Sequence, residues 1–202
     1  MTLIVAHKHM KLQKSIALTC CAILALSGSG LSAKAAETRS GNMRRTFADW
    51  CRQKADLSHK AKYTVEVLLK LAETTECDAA NLKLSSLTGL GLTNYKISDI
   101  KPLESLTNLT ELNLDENRIS DIKPLESLTN LTKLSLSDNK ISDIKPLQSL
   151  TSLTYLNLYR NRVSDIKPLE SLTKLTELIV SGNQIAPKTC PLKPESICKW
   201  EP

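Results

Sequence analysis

Past residue 9 the chain holds one histidine, His59, and past residue 21 it holds four cysteines, Cys51, Cys77, Cys190 and Cys198. The cysteines sit two in each flank, with none between Asp78 and Thr189. Residues of these types can ligate a metal, act as nucleophiles or form disulfides. Zinc is disfavoured, because no C-x-x-C occurs and a lone histidine cannot complete a tetrahedral set. A nucleophile would need a base beside it, and neither that pair, a carboxylate pair in a cleft nor a phosphate loop is legible. Gly89-Leu90-Gly91 lacks the third glycine and the following helix of a dinucleotide fingerprint. The expectation is therefore no enzyme, no metal and no cofactor, with the cysteines paired, which requires an oxidising compartment. Four cysteines allow three connectivities.

The other chemistry in the chain is that of recognition. Of 202 residues only 3% are aromatic, yet Tyr155, Tyr159 and Arg160 fall together, and aromatic and arginine side chains dominate interface energetics. Net charge is +6, but four lysines and no acid lie in residues 1–35, which leaves 23 basic against 21 acidic residues, or +2, in the remainder. Opposite charges alternate through the body with no basic face, so nucleic acid is not expected as a partner. Composition also disfavours a disordered tail and a membrane bundle.

What positions these residues is an internal repeat of 22 residues. Leu109, Leu112, Leu114, Asn117 and Ile119 recur as Leu131, Leu134, Leu136, Asn139 and Ile141, and again as Leu153, Leu156, Leu158, Asn161 and Val163. A partial copy carries Leu175, Leu178, Val180, Asn183 and Ile185; upstream, Leu87, Leu90, Leu92 and Ile97 fit the frame, but Tyr95 stands in the Asn position. Between these blocks runs Ile-Ser-Asp-Ile-Lys-Pro-Leu-Glu-Ser-Leu-Thr, at 97–107, 119–129 and 141–151, with Gln148 replacing Glu, and once more at 163–173 with Val163 leading. Alternate leucines on a short strand point one way and enter one core, so successive strands stack in parallel. Asn117, Asn139, Asn161 and Asn183 are expected to form a buried ladder that pairs backbone groups at the bend. Pro102, Pro124, Pro146 and Pro168 suit a short 3₁₀ or extended return. The fold expected is an α/β solenoid of five strands, four full repeats and a partial one over 87–186.

A solenoid needs caps. Phe47, Trp50 and Cys51 at helical spacing, then Ser58 ahead of Ala61, Val65, Leu68, Leu69 and Ala72, predict two short helices in an N-terminal cap over 46–86. Residues 187–202, with Cys190, Cys198 and Trp200, predict a small C-terminal cap. A rigid repeat between the flanks favours Cys51 with Cys77 and Cys190 with Cys198. Lys8, Lys11 and Lys14, the apolar run Ile16–Leu26 and Ala33-Lys34-Ala35 read as a cleaved secretory signal over 1–35, with Met10 an alternative start. The run is too short to span a bilayer, so no stable membrane insertion is expected after cleavage. Cys20 and Cys21 lie early in it, which makes a lipoprotein the minor alternative. Residues 36–45 read as a flexible leader.

These repeats resemble the bacterial leucine-rich repeat proteins of the internalin type, through strings of the form L-T-x-L-x-L-x-x-N-x-I-S-D-I-x-P-L over roughly 85–186. The resemblance implies a right-handed leucine-rich repeat horseshoe with a concave parallel sheet, a 3₁₀ or extended convex side, secretion or surface display, and protein binding on the concave face. The chain has few repeats, no L-P-x-T-G sorting signal and no attachment modules, so an invasion or host-receptor role is not carried over.

Positions between the leucines vary while the returns stay constant. The columns read Gly89, Glu111, Lys133, Tyr155, Glu177; Gly91, Asn113, Ser135, Asn157, Ile179; Thr93, Asp115, Ser137, Tyr159, Ser181; and Asn94, Glu116, Asp138, Arg160, Gly182. Interchangeable contacts on a binding scaffold and relaxed constraint on exposed positions both produce such variation. On the first reading the partner-binding residues are Tyr155, Asn157, Tyr159, Arg160, Lys133, Glu111, Asn113 and Asp115. Glu111, Asp115, Glu116 and Asp138 form an acidic neighbour to the tyrosines, suited to a basic partner, a cation or simply a solvated face. Asp99, Asp121, Asp143 and Asp165 with Lys101, Lys123, Lys145 and Lys167 read as interleaved charge ladders on the return side. Five strands at ~4.8 Å spacing carry a flat footprint of ~300 Å², short of the ~800 Å² per partner of a stable complex. The function expected is that of an exported module, monomer or weak dimer, secreted or periplasmic, that binds a protein or peptide. A surface-carbohydrate binder and an intracellular regulatory subunit with an uncleaved N-terminus are the alternatives.

Overall fold

The structure is a computed structural model and describes residues 45–201. The expected secretory signal and nearly all of the expected leader lie outside the described residues.

The N-terminal region holds three helices, α1 (Phe47–Arg52), α2 (His59–Ala72) and α3 (Cys77–Ser85), where the sequence predicts two. Thr46 and Asp49 close a reciprocal capping box on α1, and the Ser58 hydroxyl accepts from the Ala61 N–H at the start of α2. The apolar face of α2, including Ala61, Val65, Leu68 and Ala72, is buried. α3 escapes a periodicity argument because it buries only Ala80 and Leu84 while Leu82 is 72% exposed. Its position comes from the Cys51–Cys77 disulfide to α1, with Arg52 paired to Asp78 alongside.

Six strands follow in sequence order and form one open parallel sheet: β1 (Gly89–Gly91), β2 (Glu111–Asn113), β3 (Lys133–Ser135), β4 (Tyr155–Asn157), β5 (Glu177–Ile179) and β6 (Cys198–Lys199). The register is one repeat per strand, as in Leu112 beside Leu134 and Leu156 beside Leu178. The central leucines and the Ile and Leu of each return enter one continuous core. Returns are 3₁₀ turns with proline in the first turn, at Lys101–Leu103, Lys123–Ser127, Lys145–Ser149 and Lys167–Ser171. The expected five-strand sheet is corrected to six. Cys198 is held to Cys190, and this places Cys198–Lys199 beside β5 although no leucine frame reaches that far.

The asparagines act as staples between neighbouring repeats. Asn139 Nδ2 donates to the carbonyls of Leu114, Leu136 and Ser137, and its Oδ1 accepts from the Ile119 N–H. Asn117, Asn161 and Asn183 repeat the pattern one turn away each. Each asparagine ties its own repeat to the preceding one, so the first repeat has nothing to staple and tolerates Tyr95. Asn117, Asn139 and Asn161 are buried, whereas Asn183 at the C-terminal end is only part-buried.

The return-side charges do something different from the expected ladder. Each Asp Oδ1 accepts from the backbone N–H of the lysine two residues on, at 2.8–3.0 Å for Asp99, Asp121, Asp143 and Asp165. The aspartates start the 3₁₀ turns as local caps, and no Asp–Lys ion pair joins them among the described residues.

Candidate functional site

Each strand turns its middle leucine inward and its two flanking residues outward, so the variable columns line up in register on one face. In the first column Glu111 and Lys133 are adjacent partners and form an ion pair at 2.8 Å. Both are more than half exposed, so the pair contributes only ~0–1 kcal/mol. Tyr155 lies between Lys133 and Glu177. Burial holds its phenol above the ordinary tyrosine value, with the Glu177 and Asp115 carboxylates adding in the same direction against a hydrogen bond with Asn157. Tyr155 therefore presents a neutral hydroxyl throughout the physiological range.

The second and third columns are not uniformly free. Asn113 Oδ1 accepts from the Thr93 hydroxyl and from the Asp115 N–H, and Asn157 Oδ1 accepts from the Tyr159 N–H. Asp115 accepts from the Ser135 hydroxyl at 2.6 Å and the Ser137 N–H at 2.7 Å. Ser135, Ser137 and Ser181, expected on the open face, are buried. The expected acidic cluster is likewise dispersed: Glu111 goes to Lys133, Asp115 to the serines, and Asp138 to Arg160 at 3.8 Å. Among the described residues no group of His, Cys, Asp or Glu is arranged to hold a metal.

The fourth column occupies the bend after each strand. Asn94, Glu116, Asp138, Arg160 and Gly182 all have positive φ, from 48° to 73°. That conformation is a property of the fold position and carries no residue signature, since only one of the five is glycine. Arg160 lies over the Tyr159 ring, with its guanidinium carbon 4.9 Å from the centroid. A Cβ on Gly182 would stand 2.9 Å from Arg160 Cγ and 3.1 Å from its backbone N. Gly182→Ala is therefore expected to cost about 1–2 kcal/mol and to displace Arg160. Thermal unfolding of the variant checks this, and an unchanged midpoint would contradict it.

β4 divides the face into two hollows. One, about 370 Å³, has Gly89 and Gly91 as a bare floor and reaches Lys133 and Tyr155. The other, about 510 Å³, lies between Asn157 and Tyr159 on one side and Lys199 and Glu201 on the other, with Ile179 and Ser181 beneath. Of the eight partner-binding residues predicted, six line these hollows; Arg160 instead lies over the Tyr159 ring, and Asp115 is consumed by internal hydrogen bonds. Glu177, Ile179, Ser181, Lys199 and Glu201 line the second hollow and are not among the eight. The departure of Ile179 from an otherwise glycine and polar column was the only signal. A larger hollow of about 750 Å³ lies on the return side, against Trp50 and Arg45. It is lined by the lysines and glutamates common to the repeats, which gives it little to select with.

An open parallel sheet of tandem repeats, stapled by asparagine and closed at one end by helices, is a leucine-rich repeat scaffold. The chain belongs to the leucine-rich repeat family: residues 85–127, 107–149, 129–171 and 151–193 each match the family described as Leucine Rich repeats (2 copies). It is similar to the crystal structure of internalin C2 from Listeria monocytogenes, with 43% identity, a TM-score of 0.54, and coverage of 59% of this chain and 52% of that one. Internalin InlF of the same organism is 24% identical at a TM-score of 0.44, covering 68% of this chain and 54% of its own. The functional domain of InlJ, also from L. monocytogenes, is 23% identical at 0.48, covering 70% and 39%. The chain thus spans about half the length of the internalin C2 structure. No curated protein matches it.

Proposed function

We propose that this protein is an exported recognition module that binds a protein or peptide through the outward face of its sheet. The observation that carries the reading is the contrast within the repeat. Return segments are nearly invariant, while the outward columns change at almost every turn and bring tyrosine, arginine, asparagine and two hollows onto one face. The scaffold works by presenting side chains.

Export is supported by the two disulfides, which persist only in an oxidising compartment. N-terminal sequencing of the protein recovered outside the cytoplasm is expected to begin at Ala36, with no free thiol. An intact N-terminus with reduced cysteines would return the chain to the intracellular-subunit reading.

The binding test compares the wild type with Tyr155→Ala/Tyr159→Ala/Arg160→Ala in affinity capture from the exported proteome of the source cell. Capture of one protein by the wild type is expected to fall at least ~10-fold in the folded triple variant, as for a central aromatic and arginine cluster. Equal capture by both would remove the sheet face from consideration.

A further inference from the structure

We propose that the hollow between β4 and β6 is a side-chain pocket for an extended peptide segment of a partner protein, one that carries an aliphatic residue with a basic and an acidic residue close to it. The inference rests on the sheet-face reading above and names the ligand chemistry of one part of that face.

The floor of the pocket supplies the apolar preference. Ile179 is the sole aliphatic residue in a column otherwise made of Gly91, Asn113, Ser135, Asn157 and, on β6, Lys199. It is half-buried, with the Tyr159 ring as a neighbouring wall. A volume of about 510 Å³ lies in the range of small-ligand sites and accommodates one or two side chains.

Ser181 supplies an unused polar group. It is 4% exposed, and its hydroxyl has no hydrogen-bond partner among the described residues. The outward Ser135, by contrast, donates to Asp115. An unpaired buried hydroxyl is costly. A backbone carbonyl of a strand laid over β5 would give this one its acceptor.

The charges add a second requirement on the ligand. Lys133 and Arg160 on the same face are each paired with an acid, and Glu201 reaches Lys188. Lys199 and Glu177 have no oppositely charged side chain within 4.0 Å among the described residues. Lys199 is the register partner of Ile179, about 4.8 Å away between strands, and Glu177 lies two residues back along β5, roughly 6.6 Å away. An apolar spot thus has a free anion behind it along its own strand and a free cation beside it on the next strand, both within reach of the long side chains of one peptide. Because β6 is formed by the C-terminal cap, the cation belongs to a part of the chain outside the repeats.

The test screens the full chain against a positional-scanning array of octapeptides, alongside Ile179→Glu, Lys199→Glu and Lys133→Ala/Tyr155→Ala variants. Selected peptides are expected to carry an aliphatic residue with both Lys or Arg and Asp or Glu close to it in sequence. Ile179→Glu is expected to weaken them at least 10-fold. Lys199→Glu should exchange the acidic preference for a basic one and leave the aliphatic preference in place, a switch that misfolding cannot produce. Selection of no peptide, of peptides without this signature, or of peptides bound equally by the Ile179 and Lys199 variants would overturn the pocket. If such peptides were lost instead with Lys133→Ala/Tyr155→Ala, recognition by the sheet face would stand and only its position would be wrong. If no variant mattered, both proposals would fall.

Discussion

Replacing Asn139 with alanine is expected to lower the free energy of unfolding by about 3–5 kcal/mol, or roughly 6–20 °C in Tm for a domain of this size. The side chain serves four backbone groups at once: three carbonyls, of Leu114, Leu136 and Ser137, and the Ile119 N–H. Its site is buried, so water cannot replace the lost partners. Asn183→Ala, at the part-buried end of the ladder, is expected to cost only about 1–2 kcal/mol. Urea unfolding of both variants measures the difference, and a central variant within 1 kcal/mol of wild type would show that the ladder contributes little. Asn139→Asp separates geometry from donor chemistry, because its carboxylate would face three carbonyl oxygens. Such a group titrates above its unfolded value of ~3.9. Its stabilising contribution is complete below that value and lost as pH rises through the raised one. The deficit of Asn139→Asp should therefore be largest at neutral pH and shrink as pH falls toward 4.

Opening the Cys51–Cys77 disulfide by the double serine substitution is expected to cost about 3–4 kcal/mol, from the chain entropy of a loop with a sequence separation of 26. The loss concentrates on α3, which buries only two apolar side chains and depends on the bond to α1. Hydrogen exchange in the double variant should show α3 opening before α2, whose buried face is far larger. The Cys190–Cys198 bond, with a separation of 8, is worth about 2–3 kcal/mol on the same argument. Its loss has a further consequence, since Cys198 begins β6 and Lys199 follows it. Reduction at that end should remove the Lys199 side of the hollow while β1 to β5 stay folded. Equal protection of α3 and α2 without the first bond would contradict this division of labour.

The columns were legible from the spacing of the leucines, because a residue between two inward leucines on a strand has only the other face to occupy. Which column members are available to a partner was not legible. Asp115 looks like a free acid in the sequence and is taken up by Ser135 and Ser137 one repeat on. Lys133 and Arg160 look like free cations and are paired with Glu111 and Asp138, also one repeat back. Such pairings depend on side-chain reach across 22 residues of chain, which periodicity does not encode. The return-side aspartates show the converse error. Stacking in register suggested a charge ladder, whereas a hydrogen bond two residues away takes each carboxylate first.

By itself the sequence determined the repeat, its inward leucines, the asparagine staples, the proline-led returns and the flanking pairs of cysteines. All but the cysteines follow from local periodicity, repeated often enough that each copy confirms the others, and the cysteine pairs follow from the rigid repeat that separates the flanks. Only the tertiary structure decided what lies at the ends and what is left over. α3 and β6 are short segments with no period of their own, held in place by a disulfide and a neighbouring element. The hollow over Ile179 exists because β6 brings Lys199 beside a repeat that does not contain it. A repeat states how the chain packs against copies of itself, and recognition arises where that self-similarity stops.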